Sequence, residues 1–148
     1  MSAEFFEQVR DALSGALDPA FTDFDGVAHG AGLKVTWGDG DARKEHYETQ
    51  LVRGTEPGSI ALEIGFHSEH AKPERNDALL ARLATHERGW RKRLGTEATV
   101  GPFLGNDRWR RISETWDDFD LGDPECAFEV ADRLAVYIET IEPLRRSS

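Results

Sequence analysis

Apolar residues recur three and four positions apart in three segments of the chain, a spacing that gives a helix one apolar face. The first segment is "AEFFEQVRDALSGAL" near the N-terminus, and the second covers residues 73–94. The third covers residues 123–143 and begins with an aspartate-proline pair, which is typical of a helix N-terminus. We therefore predict three helices, the last of them ending at Pro143.

Alternation of apolar and polar residues, which places successive side chains on opposite faces of a strand, occurs in five further segments. These segments are "LKVTWG", "KEHYETQLVR", "SIALEIGFH", "TEATVGPFLG" and "RWRRISETW". The element order is therefore α-β-β-β-α-β-β-α. We predict a single α+β domain over residues 1–148, with one twisted, mainly antiparallel five-stranded sheet packed by helices. Residues 145–148 are expected to form a frayed tail.

The charge and the residue content of the chain disfavour several classes of protein. The chain has 148 residues and a formal net charge of -10, which disfavours general binding to nucleic-acid phosphates. Its single cysteine, Cys126, cannot form an internal disulfide, and no apolar run has the length of a membrane span. "MSAEFFEQVR" lacks the basic flank and apolar core of a signal peptide. We therefore expect a soluble cytoplasmic protein with no membrane partner.

Metal-ligating residue types concentrate around "GFHSEH", residues 65–70. Glu63, His67 and Glu69 share one face while their predicted strand lasts, and His46 and Glu48 lie on the same face of the strand before it if the two pair. The candidate transition-metal site consists of His46, Glu63 and His67, with His70 beyond the strand end. The favoured interpretation is a solvated sheet face that ends in a polar turn, because HxxH lacks the helical HExxH spacing that brings two histidines together. No cofactor is expected.

Basic and aromatic side chains cluster in "RGWRKR", residues 88–93, and "RWRR", residues 108–111. Exposed tryptophan and arginine dominate many binding surfaces. The predicted binding residues are Trp90, Arg91, Arg93, Trp109, Arg110, Arg111 and Trp116. Two interpretations remain open, a surface for a protein or peptide and a positive patch for nucleic acid. For Trp90, a position in the core is favoured.

The length, the acidity and the element order resemble those of small secretion chaperones, including the type III secretion chaperones. This resemblance covers the whole chain as topology. It implies a cytoplasmic homodimer formed through the middle helix, 73–94, and a neighbouring strand, with an apolar patch for a partner peptide. "LLARLATHERGWRKRLG", "RWRRISETW" and "AFEVADRLAVYIETIEP" are also similar to uncharacterised bacterial domains found beside restriction-type nuclease modules.

No GxSxG motif, phosphate-binding loop or dinucleotide-binding GxGxxG occurs, so a binding protein is favoured over an enzyme. We expect a protein-binding domain, chaperone-like or an adaptor, that acts as a homodimer. One alternative is a metal-binding protein or metal-dependent enzyme that uses the His/Glu group at 46–70. The other is an accessory domain that contacts nucleic acid through the Arg/Trp clusters. Convergence of the histidine and glutamate side chains on one point would favour the metal alternative.

Overall fold

The computed structural model describes residues 2–103 and 105–147. Within these residues the helices are α1 (Ser2–Ala16), α2 (Pro73–Ala84), α3 (Glu87–Leu94) and α4 (Pro124–Arg146). The strands are β1 (Asp25–Ala28), β2 (Gly32–Thr36), β3 (Glu45–Arg53), β4 (Ile60–Ser68), β5 (Thr99–Phe103) and β6 (Asn106–Trp116). Two short 3₁₀ helices span Pro19–Phe21 and Gly40–Lys44.

All the strands belong to one antiparallel sheet in the order β1-β2-β3-β4-β6-β5. The first four strands follow chain order, as expected for a meander. After α2 and α3 the chain returns so that β6 pairs with β4 and β5 takes the edge. The two longest pairings, β3 with β4 and β4 with β6, therefore form the middle of the sheet.

The predicted α+β class and antiparallel sheet are confirmed, but the predicted number of strands is wrong. The sixth strand is β1, in a segment where the sequence shows no clear alternation. Its sequence, "DGVA", contains aspartate and glycine, two residues that strands disfavour. Pairing with β2, in which Val27 lies opposite Lys34, holds this short strand at the edge of the sheet.

The predicted middle helix, 73–94, is interrupted, because α2 ends at Ala84 and α3 begins at Glu87. The indole Nε1 of Trp90 donates a hydrogen bond of 3.0 Å to the carbonyl oxygen of Leu83 across the break. The same carbonyl also accepts from the His86 N–H at 3.0 Å, so the indole adds a second hydrogen bond that attaches α3 to the end of α2.

The last helix continues through Pro143 to Arg146, so the predicted end at Pro143 is wrong. The guanidinium of Arg145 lies 3.1 Å from the carboxylate of Glu45 and so attaches the last turn of α4 to β3. The prediction of a frayed tail is therefore wrong for Arg145 and Arg146, whereas Ser148 lies outside the described residues.

The apolar core lies between one face of the sheet and the helices α1 and α4. The strands contribute Leu33, Val35, Tyr47, Leu62, Ile64, Phe66 and Ile112. The two helices contribute Phe5, Phe6, Val9, Leu13, Val130, Leu134, Ile138 and Ile141. Each of these side chains is at most 1% exposed. The apolar faces that the sequence pattern predicts for the helices and the strands thus pack together in one core.

Candidate metal centre

Two histidines and two glutamates converge on the sheet face opposite the apolar core. His46, Glu48, His67 and Glu69, here called the inner cluster, each offer one ligand atom, and these atoms lie within 4.8 Å of one another. His46 Nε2 lies 3.1 Å from Glu48 Oε1 and 3.4 Å from Glu69 Oε2. His67 Nδ1 lies 3.2 Å and 3.4 Å from the same two oxygens. Ligand atoms in a tetrahedron around a zinc-sized ion are about 3.4 Å apart, so these four distances fit a bound ion.

The inner cluster is a product of strand alternation and register. His46 and Glu48 are two residues apart on β3 and therefore share a face. His67 on β4 lies directly opposite His46. Glu69 follows the end of β4, and its backbone N–H donates a 2.8 Å hydrogen bond to the carbonyl oxygen of Lys44. This bond holds the chain in a position from which the Glu69 carboxylate reaches both imidazoles.

Gly65 allows β6 to lie close to β4 beside the inner cluster. It lies opposite Glu48 on β3 and opposite Ser113 on β6. A Cβ atom at this position would lie 2.4 Å from the carbonyl oxygen of Ile112 and 2.5 Å from the Cα of Ser113, and the φ angle is +156°. Only glycine therefore allows β4 and β6 to approach this closely.

The outer ring nitrogens of both histidines are held by acceptors. His46 Nδ1 lies 3.1 Å from the carbonyl oxygen of Arg43, and His67 Nε2 lies 2.9 Å from Glu63 Oε2. A carbonyl and a carboxylate accept hydrogen bonds, so each outer nitrogen carries the hydrogen and donates it. In the neutral imidazoles, the lone pairs of His46 Nε2 and His67 Nδ1 then point into the inner cluster. Metal-binding histidines are oriented in this way.

Glu63 is itself held by an outer network of hydrogen bonds. Its Oε2 accepts from the Ser113 hydroxyl at 2.6 Å, and its Oε1 accepts from Gln50 Nε2 at 2.8 Å. Arg111 Nη1 donates to the Ser113 oxygen at 2.8 Å. We call Glu63, Gln50, Ser113 and Arg111 the outer network. Its hydrogen bonds hold the Glu63 carboxylate in place, and this carboxylate fixes the orientation of His67 on the side away from the inner cluster.

The electrostatics of the inner cluster favour charged groups despite burial. Burial raises the pKa of Glu48, but hydrogen bonds from His46 and His67 outweigh it and lower the pKa to about 2. The pKa of Glu69 is lowered in the same way. Burial lowers the pKa of His67, but the hydrogen bonds that it donates to Glu48, Glu63 and Glu69 outweigh burial and raise the pKa well above its ordinary value. In the metal-free protein the charged histidines therefore balance the carboxylates of Glu48 and Glu69, and a bound cation would take over this role from the histidine protons.

The polar sheet face is buried, so the predicted solvated face is wrong. His46, Glu63 and His67 are at most 1% exposed. The ring of Phe103 packs edge-on against the His67 imidazole with 4.5 Å between centroids, and Trp109 packs on Phe103 at 5.6 Å. These aromatic rings shield one side of the inner cluster from water, which strengthens its electrostatic interactions.

Two of the four metal-site residues predicted from the sequence belong to the inner cluster, namely His46 and His67. Glu63 lies outside the inner cluster and contacts it through His67. His70 does not belong to the inner cluster, and its Nε2 lies 2.7 Å from Glu45 Oε2 instead.

The sequence placed Glu48 and Glu69 on this face, but the predicted metal site did not include them. The signal that identifies them is a repeated H-x-E spacing, "HYE" at 46–48 and "HSE" at 67–69. The same spacing on neighbouring strands places both pairs on one face when the two histidines are in register.

The predicted arginine and tryptophan surface is largely occupied by internal contacts. Trp90 is buried, as favoured from the sequence, so its assignment to an exposed binding surface is wrong. Three of the arginines form ion pairs: Arg91 with Glu87, Arg93 with Glu139 and Arg110 with Asp77. Arg111 belongs to the outer network, Trp109 packs on Phe103, and Trp116 Nε1 donates to Glu114.

Within residues 2–103 and 105–147, no helix combines the length and apolar character that crossing a membrane requires. Comparisons of the chain with protein-family models, with curated proteins and with solved structures find no match.

Proposed function

We propose that this protein binds one first-row transition-metal ion in the inner cluster. The observation that supports the proposal most strongly is the convergence of two imidazole nitrogens and two carboxylate oxygens, with both outer ring nitrogens already used as donors. An imidazole nitrogen carries at most one hydrogen, yet each inner nitrogen faces two carboxylate oxygens at 3.1–3.4 Å. A metal ion satisfies all four ligand atoms at once.

The donor atoms indicate which ions are suitable. Two imidazole nitrogens and two carboxylate oxygens suit zinc, iron or manganese. Calcium and magnesium prefer oxygen ligands alone, and copper(I) prefers sulfur. With neutral imidazoles, the charges of Glu48 and Glu69 balance those of a divalent ion, so binding removes the net charge of the buried cluster.

Native mass spectrometry tests the proposal on the intact protein. The metal-free protein, prepared with a chelator and then supplied with Zn²⁺ or Mn²⁺, is expected to bind one ion per chain. His67→Ala removes one ligand and is expected to abolish stoichiometric binding. His29→Ala is the matched control, because His29 is exposed and its imidazole lies outside the inner cluster, where Nδ1 accepts from the nearby Ala31 N–H. Equal binding by both variants would refute the proposal.

The protein-binding homodimer remains a second proposal, supported by apolar surface on α4. Phe128 is 59% exposed and lines a cavity of about 430 Å³ between α1 and α4, together with Ala12 and Pro124. A second copy of the chain that packed there would bury this ring. A dimer mass that Phe128→Asp converts to a monomer mass would support this contact, and a monomer at all concentrations would refute it.

A further inference from the structure

A third buried carboxylate, that of Glu63, lies directly behind the inner cluster. Its side chain is fully buried, and its hydrogen-bond partners are His67, Ser113 and Gln50. None of these partners carries a positive charge when His67 is a neutral metal ligand. The charge of Glu63 therefore needs compensation from the metal itself.

No lysine or arginine of the described residues forms a direct ion pair with Glu63. Within the described part of the chain, every ion pair of Glu48, Glu63 and Glu69 is with a histidine. Arg111 lies on the same face but donates to the Ser113 hydroxyl and the Pro102 carbonyl. Lys34 lies opposite Glu48 on β2 without an ion pair to it.

The number of buried carboxylates shows whether a divalent or a trivalent ion balances their charge. A divalent ion balances Glu48 and Glu69 and leaves Glu63 as an uncompensated buried charge. A trivalent ion balances all three carboxylates. The hydrogen bond from His67 Nε2 to Glu63 also raises the electron density on Nδ1, which strengthens its bond to a more highly charged ion.

We infer that Glu63 is a positioning residue that makes the inner cluster favour iron or manganese in the trivalent state. The inference rests on the proposed metal-binding function and specifies its redox state. For iron, one electron passes from bound Fe²⁺ to ferricyanide, giving bound Fe³⁺ and ferrocyanide. No covalent bond forms or breaks within the protein, and Glu63 keeps its charge throughout.

The test measures the midpoint potential of the iron-loaded protein by spectroelectrochemistry, with Fe²⁺ loaded under anaerobic conditions. Glu63→Gln removes the charge and keeps an oxygen that accepts from His67. It is expected to raise the midpoint potential, because the lost negative charge weakens the binding of Fe³⁺ more than that of Fe²⁺; mutation of a residue behind a metal-binding histidine costs roughly 10–100-fold in metal affinity. Glu97→Gln, at an exposed position, is the matched control and is expected to leave the potential unchanged.

A second variant keeps the test decisive if Glu63→Gln does not fold. Thr115 is exposed and lies opposite Glu63 on β6, so Thr115→Lys brings a positive charge to Glu63 without removing it. This variant is expected to shift the midpoint potential in the same direction. Potentials equal to that of the wild-type protein in the folded variants would overturn the inference.

The outcomes separate this inference from the proposed function. A protein that binds zinc in the inner cluster but neither iron nor manganese refutes the inference and leaves the proposed function standing. A protein that binds none of the three metals refutes both.

Discussion

The two faces of the central sheet are both buried, yet opposite kinds of side chain fill them. Along β4, Leu62, Ile64 and Phe66 point to the helices α1 and α4, whereas Glu63 and His67 point to the other face. Burial of each large apolar side chain stabilises the fold by about 1.5–3 kcal/mol. Burial of a charged group costs free energy unless a partner compensates it. The apolar face therefore needs no explanation beyond folding, but the polar face does.

The pairing of buried carboxylates sharpens this comparison. On the helical side, Glu114 is 2.7 Å from the guanidinium of Arg133, and Glu142 is 2.5 Å from that of Arg145. On the polar face, the ion pairs that Glu48, Glu63 and Glu69 form within residues 2–103 and 105–147 are all with histidines. The chain thus provides arginines where its carboxylates are structural. Their absence from the ion pairs of the inner cluster fits a site that takes its positive charge from a metal ion.

Phe66→Ala is expected to have the largest effect on stability, because it creates a cavity in the apolar core. The free energy of unfolding should fall by about 3–5 kcal/mol in urea titrations of the metal-free protein. The number of metal ions bound by the folded variant should stay at the wild-type value. A variant that loses the metal under conditions where it remains folded would contradict the separation of the two faces.

Metal removal is expected to affect only proteins with an intact inner cluster. A free metal concentration 100-fold above the dissociation constant should stabilise the wild-type protein by about 2.7 kcal/mol relative to the chelated protein. His46→Ala should abolish this difference, because it removes a ligand of the ion. Thermal unfolding with and without chelator measures the effect, and an equal metal-dependent shift in the variant would refute the ligand assignment.

Gly65→Ala is expected to disturb the polar face through the backbone. The added Cβ would lie 2.4 Å from the Ile112 carbonyl oxygen, so β4 and β6 must separate. Overpacking of this kind costs about 1–3 kcal/mol. Urea titration measures this loss. The affinity for the metal should fall in the same variant, whereas Gly89→Ala, where a Cβ meets nothing within 4 Å, serves as the control.

The smallest expected effect is the pH dependence of the metal-free protein. The pKa of His46 and His67 is raised from 6.5, because the hydrogen bonds that the imidazoles donate to carboxylates outweigh burial. The stabilisation from these groups is therefore complete below pH 6.5 and is lost as the pH rises through their raised pKa values. The lowered pKa of Glu48, about 2 instead of 4.5, contributes stability above pH 4.5 that is lost as the pH falls towards 2.

Stability of the metal-free wild-type protein should accordingly be greatest between about pH 4.5 and 6.5. The combined variant His46→Ala and His67→Ala should lose the alkaline part of this dependence. Urea titrations across the pH range provide the measurement. An unchanged alkaline decline in this variant would show that other groups cause it.

Local patterns in the sequence predicted most of the fold. Alternation gave the strands that form the middle of the sheet, and helical spacing gave the buried faces of α1 and α4. The strand β1 was missed because pairing with β2, rather than its own residues, holds "DGVA" extended. The break between α2 and α3 was missed because it depends on the contact between Trp90 and Leu83.

The candidate site was only partly predictable. Alternation placed Glu63 and His67 on one face, but the register that sets His46 opposite His67 is a tertiary property. The burial of this polar face depends on Phe103, which reaches His67 from the edge strand β5. Without these two facts, a polar strand end was the simpler interpretation of "GFHSEH".

Anomalous X-ray diffraction from crystals of the Zn²⁺-loaded protein, recorded on both sides of the zinc absorption edge, tests the central claim most directly. The metal-site proposal predicts one peak about 2.0–2.2 Å from His46 Nε2, His67 Nδ1 and one carboxylate oxygen each of Glu48 and Glu69. A peak at His70 and Glu45, or no peak between the two H-x-E pairs, would contradict it.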